Sequence, residues 1–167
     1  LIRKLGDERI MEITGLPASE MYGLPKYIWM NRNTDVIRKA AQIFFYEDYI
    51  GYLLTGKRLV SDSSASRSMA FDIHKKEWDR ELLGLAGITK EQMSRPKPAG
   101  TVIGTIRKER AEELHLPADM KVVVGGHDQS CAAFGSGLND PGGGECGMGT
   151  CEFMFLILPD MGDPRYM

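Results

Sequence analysis

No stretch of this sequence approaches the ~20 consecutive apolar residues that a membrane-crossing helix needs, and no secretory leader opens it. Cysteine is scarce. Cys131, Cys146 and Cys151 are odd in number and confined to the last quarter, which excludes a disulfide scaffold and fits the reduced thiols of a cytoplasmic protein. Cys146 and Cys151 have no second pair and no neighbouring histidine, so a zinc site is not expected, nor any other metal site from these residues. A surplus of one charge is missing too. Lys plus Arg number 21 against 23 Asp plus Glu, a net charge of −2, which leaves no electrostatic footprint for nucleic acid or an anionic membrane. There is no internal repeat, low-complexity tract or charge block. An initiator methionine is absent as well. The chain opens on Leu1-Ile2-Arg3 and stops at Met167, shortly after an apolar run at residues 153–158, and we read it as an internal piece of a longer protein.

What is present is ordinary globular composition, with 43% hydrophobic and 26% charged residues among 167, enough for one core. Helices are expected from Leu24-Pro25 onward, over residues 36–41 after an Asn33-Thr34-Asp35 cap, over residues 48–54 up to Thr55-Gly56, over 78–85 and over 109–114. Ile43-Phe44-Phe45 reads as a short strand, residues 61–68 as a loop or short helix, and Pro96, Pro98 and Gly100 as a loop. Trp29 and Trp78, at helical spacings, are expected in the core. Residues 102–106 form a strand, and Lys121-Val122-Val123-Val124 is a β-branched run expected to be buried on both faces. A small-residue helix follows from Asp128 to Phe134, suited to tight packing. A glycine-rich turn at residues 139–144 then leads into paired strands. The alternation predicts an α/β layer architecture.

The strongest chemical signal is Val124-Gly125-Gly126-His127-Asp128-Gln129. A strand ends in two glycines and delivers an acid where a helix starts, at the sheet edge where α/β proteins usually bind ligands. The glycines permit close approach by a ligand or another backbone. The helix N-terminus offers free amides and partial positive charge. Asp128 can therefore serve as a base that takes a proton from an attacking hydroxyl. It can equally be a plain helix cap. The residues alone leave both readings open. Gly147-Met148-Gly149-Thr150 is a second signal, since backbone amides and a hydroxyl at a tight hairpin can face a phosphate; an ordinary β-turn fits as well. No Gly-Lys-Ser/Thr follows, which excludes a Walker loop, and no clear helix opens after Gly142-Gly143-Gly144, which excludes a dinucleotide fingerprint.

In order along the chain, these segments resemble the FGGY family of carbohydrate kinases. The carriers are Met21-Tyr22-Gly23-Leu24-Pro25-Lys26-Tyr27-Ile28-Trp29-Met30-Asn31-Arg32-Asn33, Asp48-Tyr49-Ile50-Gly51-Tyr52-Leu53-Leu54-Thr55-Gly56, and Ser61-Asp62-Ser63-Ser64-Ala65-Ser66 with Phe71-Asp72 and Trp78. Gly126-His127-Asp128-Gln129 and Gly149-Thr150 complete the set, and the likeness runs from about residue 13 to 155. Gly23 departs from the Ser, Thr or Pro usual there. The resemblance implies an actin-like, ribonuclease-H-like α/β fold, with residues 1–167 as the latter half of the first domain of a two-domain sugar kinase. It implies Asp128 as general base, Gln129 and His127 as substrate contacts, and Gly149 and Thr150 as contacts to ATP phosphates. ATP with Mg2+ would be the cofactor, a sugar or polyol the acceptor, and a homodimer is compatible with it. The family's N-terminal Asp-x-Gly-Thr hairpin and nearly all of its second domain are not in this sequence, so the chain alone is expected to be inactive. The alternative is a non-catalytic sugar-binding or regulatory domain of the same fold.

Overall fold

The structure is a computed structural model, and it describes residues 5–149 and 152–159. Helix α1, Asp7–Thr14, buries Ile10 and Ile13 and ends at Gly15, whose φ of 67° is the left-handed turn that glycine adopts without strain. Helix α2 spans Gly23–Asn33. Its inward stripe is Leu24, Tyr27 and Ile28, a three-and-four spacing that lays one face on the core. Trp29 falls off that stripe and is 61% exposed, so the expectation that it is a core residue is corrected. Gly23 is explained by packing. The Leu24 amide donates to the Ser68 carbonyl at 2.7 Å, and a Cβ on Gly23 would lie 3.3 Å from the Ser68 Cα.

Helix α3, Val36–Lys39, is a single turn. Ile43 makes one parallel bridge to Met93, less than the strand expected at residues 43–45. Helix α4, Tyr46–Thr55, begins two residues earlier than the sequence suggests and ends at Gly56, again left-handed. Strand β1, Leu59–Ser61, runs into helix α5, Asp62–Ser66, capped by the Ser61 hydroxyl, which accepts from the Ser64 amide. Strands β2, Phe71–Asp72, and β3, Glu77–Trp78, form an antiparallel hairpin. Trp78 therefore sits in a strand, and the helix expected from residue 78 is α6, Arg80–Leu85, capped by Asp79. After a 3-10 turn at Lys90–Gln92 comes strand β4, Arg95–Lys97, parallel to β1. A loop was expected there. Pro96 is tolerated because β4 has one neighbour, β1, among the described residues.

The main core joins α1, α2, α3, β1–β3 and α6, with Leu24, Val60, Met69, Phe71, Trp78, Leu82, Leu83 and Met93 buried. The Trp78 indole N–H donates to the Ser94 carbonyl at 2.7 Å, and its ring lies parallel to Phe45 and edge-on to Phe71.

The second half is more open. Strand β5, Val102–Thr105, helix α7, Lys108–Leu114, and strand β6, Lys121–Val123, form an antiparallel unit. Helix α4 packs against it at Gly51, where a Cβ would come within 2.9 Å of the Ile103 Cδ1. Among the described residues β6 pairs with β5 alone, and Val123 is 51% exposed, so burial on both faces is not observed. β-branched residues suit any pleated surface, and their run alone does not separate a central strand from an edge. Helix α8, Asp128–Gly135, forms as expected, but among the described residues it buries only Ala133 and leaves Phe134 72% exposed, so the tight packing predicted from its small residues is not observed there. Strands β7, Gly144–Met148, and β8, Glu152–Leu156, make the predicted hairpin.

Candidate active site

β6 stops at Val123 because the next residues leave the ladder. Val124 instead pairs by its amide with the Thr101 carbonyl and by its carbonyl with the Gly100 amide, both at 2.8 Å. Gly125 and Gly126 then carry the chain to His127, and Asp128 opens α8. The two glycines differ in purpose. A Cβ on Gly125 would meet nothing within 4 Å, whereas one on Gly126 would lie 3.1 Å from the Cys131 Sγ and 3.3 Å from the Ser63 Oγ. What approaches the glycine is thus a cysteine of α8, the helix that follows it, and, from another element, a serine of α5.

That serine holds the loop. The His127 amide donates to the Ser63 Oγ at 2.9 Å, and Ser63 meets the Ser61 Oγ at 3.1 Å. Glu47, in the first turn of α4, grips the same segment twice. Its Oε1 accepts from the Ser61 amide at 2.6 Å and its Oε2 from the Ser64 hydroxyl at 2.9 Å. A chain of hydrogen bonds therefore runs from α4 through α5 to the residue before Asp128.

Asp128 projects into solvent, its side chain 81% exposed. Its Oδ1 accepts from the Gln129 amide at 2.8 Å and lies 3.3 Å from the His127 Nδ1. Oδ2 has no hydrogen bond among the described residues. His127, not Asp128, is the cap residue of α8, and no side chain caps the helix, so the capping reading of Asp128 is corrected. Gln129 is half-buried beside it, and the His127 side chain is 26% exposed. Gly149 lies exposed at the β7–β8 turn; Thr150 lies outside the described residues.

The sequence reading missed Glu47 and the part played by Ser61, Ser63 and Ser64. The clue was the hydroxyl-rich run itself, but nothing in its spacing points to residue 127. The sequence reading named Asp48 as the start of a family motif without giving it a role; the residue is 1% exposed with neither carboxylate oxygen hydrogen-bonded among the described residues. Burial pushes the Asp48 carboxyl up to about 6, an effect tempered by the Ser94 hydroxyl and the Phe45 amide that face it. Burial likewise raises the Tyr27 phenol to about 12, with the Asp48 charge adding to it. Among the described residues no group of three or more His, Cys, Asp or Glu could hold a metal ion, and no helix is long and apolar enough to cross a membrane.

The described chain is thus a mixed α/β protein in which two glycines lead from β6 to a helix that opens on an exposed carboxylate. Comparison with known proteins names the family. Residues 1–135 match the profile of the FGGY family of carbohydrate kinases, N-terminal domain, and the chain belongs to that family. It is 31% identical over 157 residues to the xylulose kinase of Lactococcus lactis, covering 93% of this chain and 31% of that protein. It is 31% identical over 119 residues to the autoinducer-2 kinase of Escherichia coli K12, covering 71% of this chain and 22% of that protein. Among solved structures, the xyloylose kinase of Brucella ovis superposes with a TM-score of 0.84 at 27% identity, over 91% of this chain and 32% of that one. The chain thus spans about a third or less of the relatives it matches. These likenesses bear out the family and the actin-like kinase fold that the motifs suggested.

Proposed function

We propose that this chain is the latter half of the first domain of a two-domain, ATP-dependent carbohydrate kinase, with Asp128 as the general base. The observation that carries the reading is the Asp128 carboxylate. Oδ1 is held by the Gln129 amide, and Oδ2 is free to take the proton of an attacking sugar or polyol hydroxyl. Removing that proton as the oxygen attacks is the one acid–base task of phosphoryl transfer. Gln129 and His127, flanking the carboxylate, contact the acceptor and align its hydroxyl. Bound ATP supplies the phosphoryl group. The exposed backbone at Gly149 fits a contact to its phosphates, with Thr150 beside it in sequence. The described residues do not fit a Mg2+ site of their own, and no step is assigned to the metal. The relatives' names, xylulose kinase and autoinducer-2 kinase, support a small polyhydroxylated acceptor.

The test is Asp128→Asn in the longer kinase, assayed against a panel of ketoses and polyols. Turnover should fall by a factor on the order of a hundred or more while acceptor affinity changes little. Rates like the wild type would remove Asp128 as base. Retained sugar binding with no turnover in the unmutated protein would favour a binding or regulatory domain instead. The 167-residue chain assayed alone should phosphorylate none of the panel.

A further inference from the structure

We propose that Glu47 is a positioning residue for Asp128, acting from 81 residues away in sequence through the serines of α5. This inference rests on the reading of Asp128 as the base. Glu47 uses both carboxylate oxygens on one short segment: the Ser61 amide donates to Oε1 at 2.6 Å and the Ser64 hydroxyl to Oε2 at 2.9 Å. The Ser64 amide in turn donates to the Ser61 Oγ at 3.0 Å. The start of α5 is thus held in a closed set of contacts around one carboxylate. Ser63, inside that set, reaches out to the His127 amide. Hydrogen bonds to a charged acceptor are shorter and stronger than neutral ones, and they fix direction as well as distance.

The consequence falls on the base. Among the described residues α8 buries only Ala133, so apolar packing does little to set the position of its first turn. The hydrogen bond at His127 ties the residue before Asp128 to another element. Letting α5 swing would move Ser63, release the His127 amide and leave Asp128 to wander. A shift of about 1 Å in a catalytic group can cost a hundredfold in rate. Acceptor binding, to which His127 and Gln129 contribute in the proposed function, should weaken as well, by a smaller factor than turnover.

The experiment has two arms. In the 15N-labelled chain, amide exchange at His127 is read by NMR for wild type, Glu47→Ala, Glu47→Gln and Ser64→Ala. Loss of a hydrogen bond worth about 1.4 kcal/mol corresponds to a tenfold change in opening. Glu47→Ala should therefore speed His127 exchange roughly tenfold, with the β2–β3 amides unchanged. Glu47→Gln, which can keep both contacts, should stay near wild type, and Ser64→Ala should fall between. In the longer kinase, Glu47→Ala should lower kcat on the order of tenfold to a hundredfold with a smaller rise in KM for the acceptor, and Glu47→Gln should restore most of both. Unchanged His127 exchange in Glu47→Ala overturns the tether. Exchange that rises equally everywhere overturns it too, showing a general stabilising role. If Asp128→Asn abolishes turnover while Glu47→Ala keeps the wild-type kcat, the positioning role is lost and the base stands. If Asp128→Asn is active, the base is lost, and the exchange arm still decides the tether.

Discussion

The amide of His127 and the hydroxyl of Ser63 meet at 2.9 Å across 64 residues of sequence. That contact joins the two segments richest in chemistry, and it explains the second glycine before Asp128. A larger residue at position 126 would push Ser63 away.

The contact gives a coupled prediction. Ser63→Ala leaves the His127 amide without its partner and should cost about 1–2 kcal/mol. Gly126→Ala, whose Cβ would crowd the Ser63 Oγ at 3.3 Å and the Cys131 Sγ at 3.1 Å, should cost about 1–3 kcal/mol. The double variant should cost less than the sum, because the alanine at 63 vacates part of the space. Gly125→Ala, with open space around it, should lie within about 0.5 kcal/mol of wild type. Denaturant midpoints for the four variants check this; strict additivity would mean the two positions do not touch.

A second prediction concerns pH. Burial raises the Asp48 carboxyl from 3.8 to about 6 in the fold. The folded state then holds the proton more tightly than the unfolded chain. Stability from this group is complete below about pH 4, declines as the pH rises through about 6, and is flat above. The full swing is at most roughly 3 kcal/mol. Asp35 and Asp72 act in the opposite sense. Arg38 and Lys39 lower the first; burial pulls the second up, but Lys75 and the turn amides outweigh it. The readout is therefore the difference between wild type and Asp48→Asn. Relative to wild type, the variant should gain stability between pH 4 and 6.5, measured by urea unfolding across that range. A difference that stays constant with pH would place the titration elsewhere.

The exposed side of the β7–β8 hairpin gives a third. Met148, Met154 and Leu156 are 82%, 70% and 60% exposed on strands that pair in register. An apolar face of this kind invites association. Light scattering of the chain should show concentration-dependent growth that Met154→Lys with Leu156→Lys suppresses. Unchanged association in that variant would assign the contact to another face.

How much of this was legible in the sequence depends on the range of the signal. Local signals read well: Gly56 stops α4 in the left-handed region, Asp128 opens α8, and the glycine turn joins β7 to β8. The family motifs, read in order, carried the fold. Burial read less well, because it belongs to neighbours rather than to residues. Val122 and Val123 look like a central strand, yet among the described residues their strand has one neighbour. Pro96 looks like a loop breaker and sits in β4. The Glu47 tether was invisible because its partners lie 14, 17 and, through Ser63, 80 residues away, at no periodic spacing.

The two tryptophans offer the last test, because sequence spacing treated them alike and the structure does not. Trp29 is 61% exposed and Trp78 is 3% exposed. Trp78 has three attachments: the hydrogen bond to the Ser94 carbonyl, the parallel ring of Phe45 and the edge-on ring of Phe71. Trp78→Phe shrinks the ring and orphans a buried carbonyl, which together should cost about 2–4 kcal/mol. Trp29→Phe should change stability by no more than about 0.5 kcal/mol. Fluorescence separates them without unfolding. Trp29→Phe leaves a single buried emitter, so the spectrum should shift to the blue and lose most of its quenching by iodide. Trp78→Phe should leave a red-shifted, fully quenchable signal. Equal quenching in the two variants would mean that α2 presents a different face to the core, with Trp29 turned inward in place of Leu24, Tyr27 and Ile28.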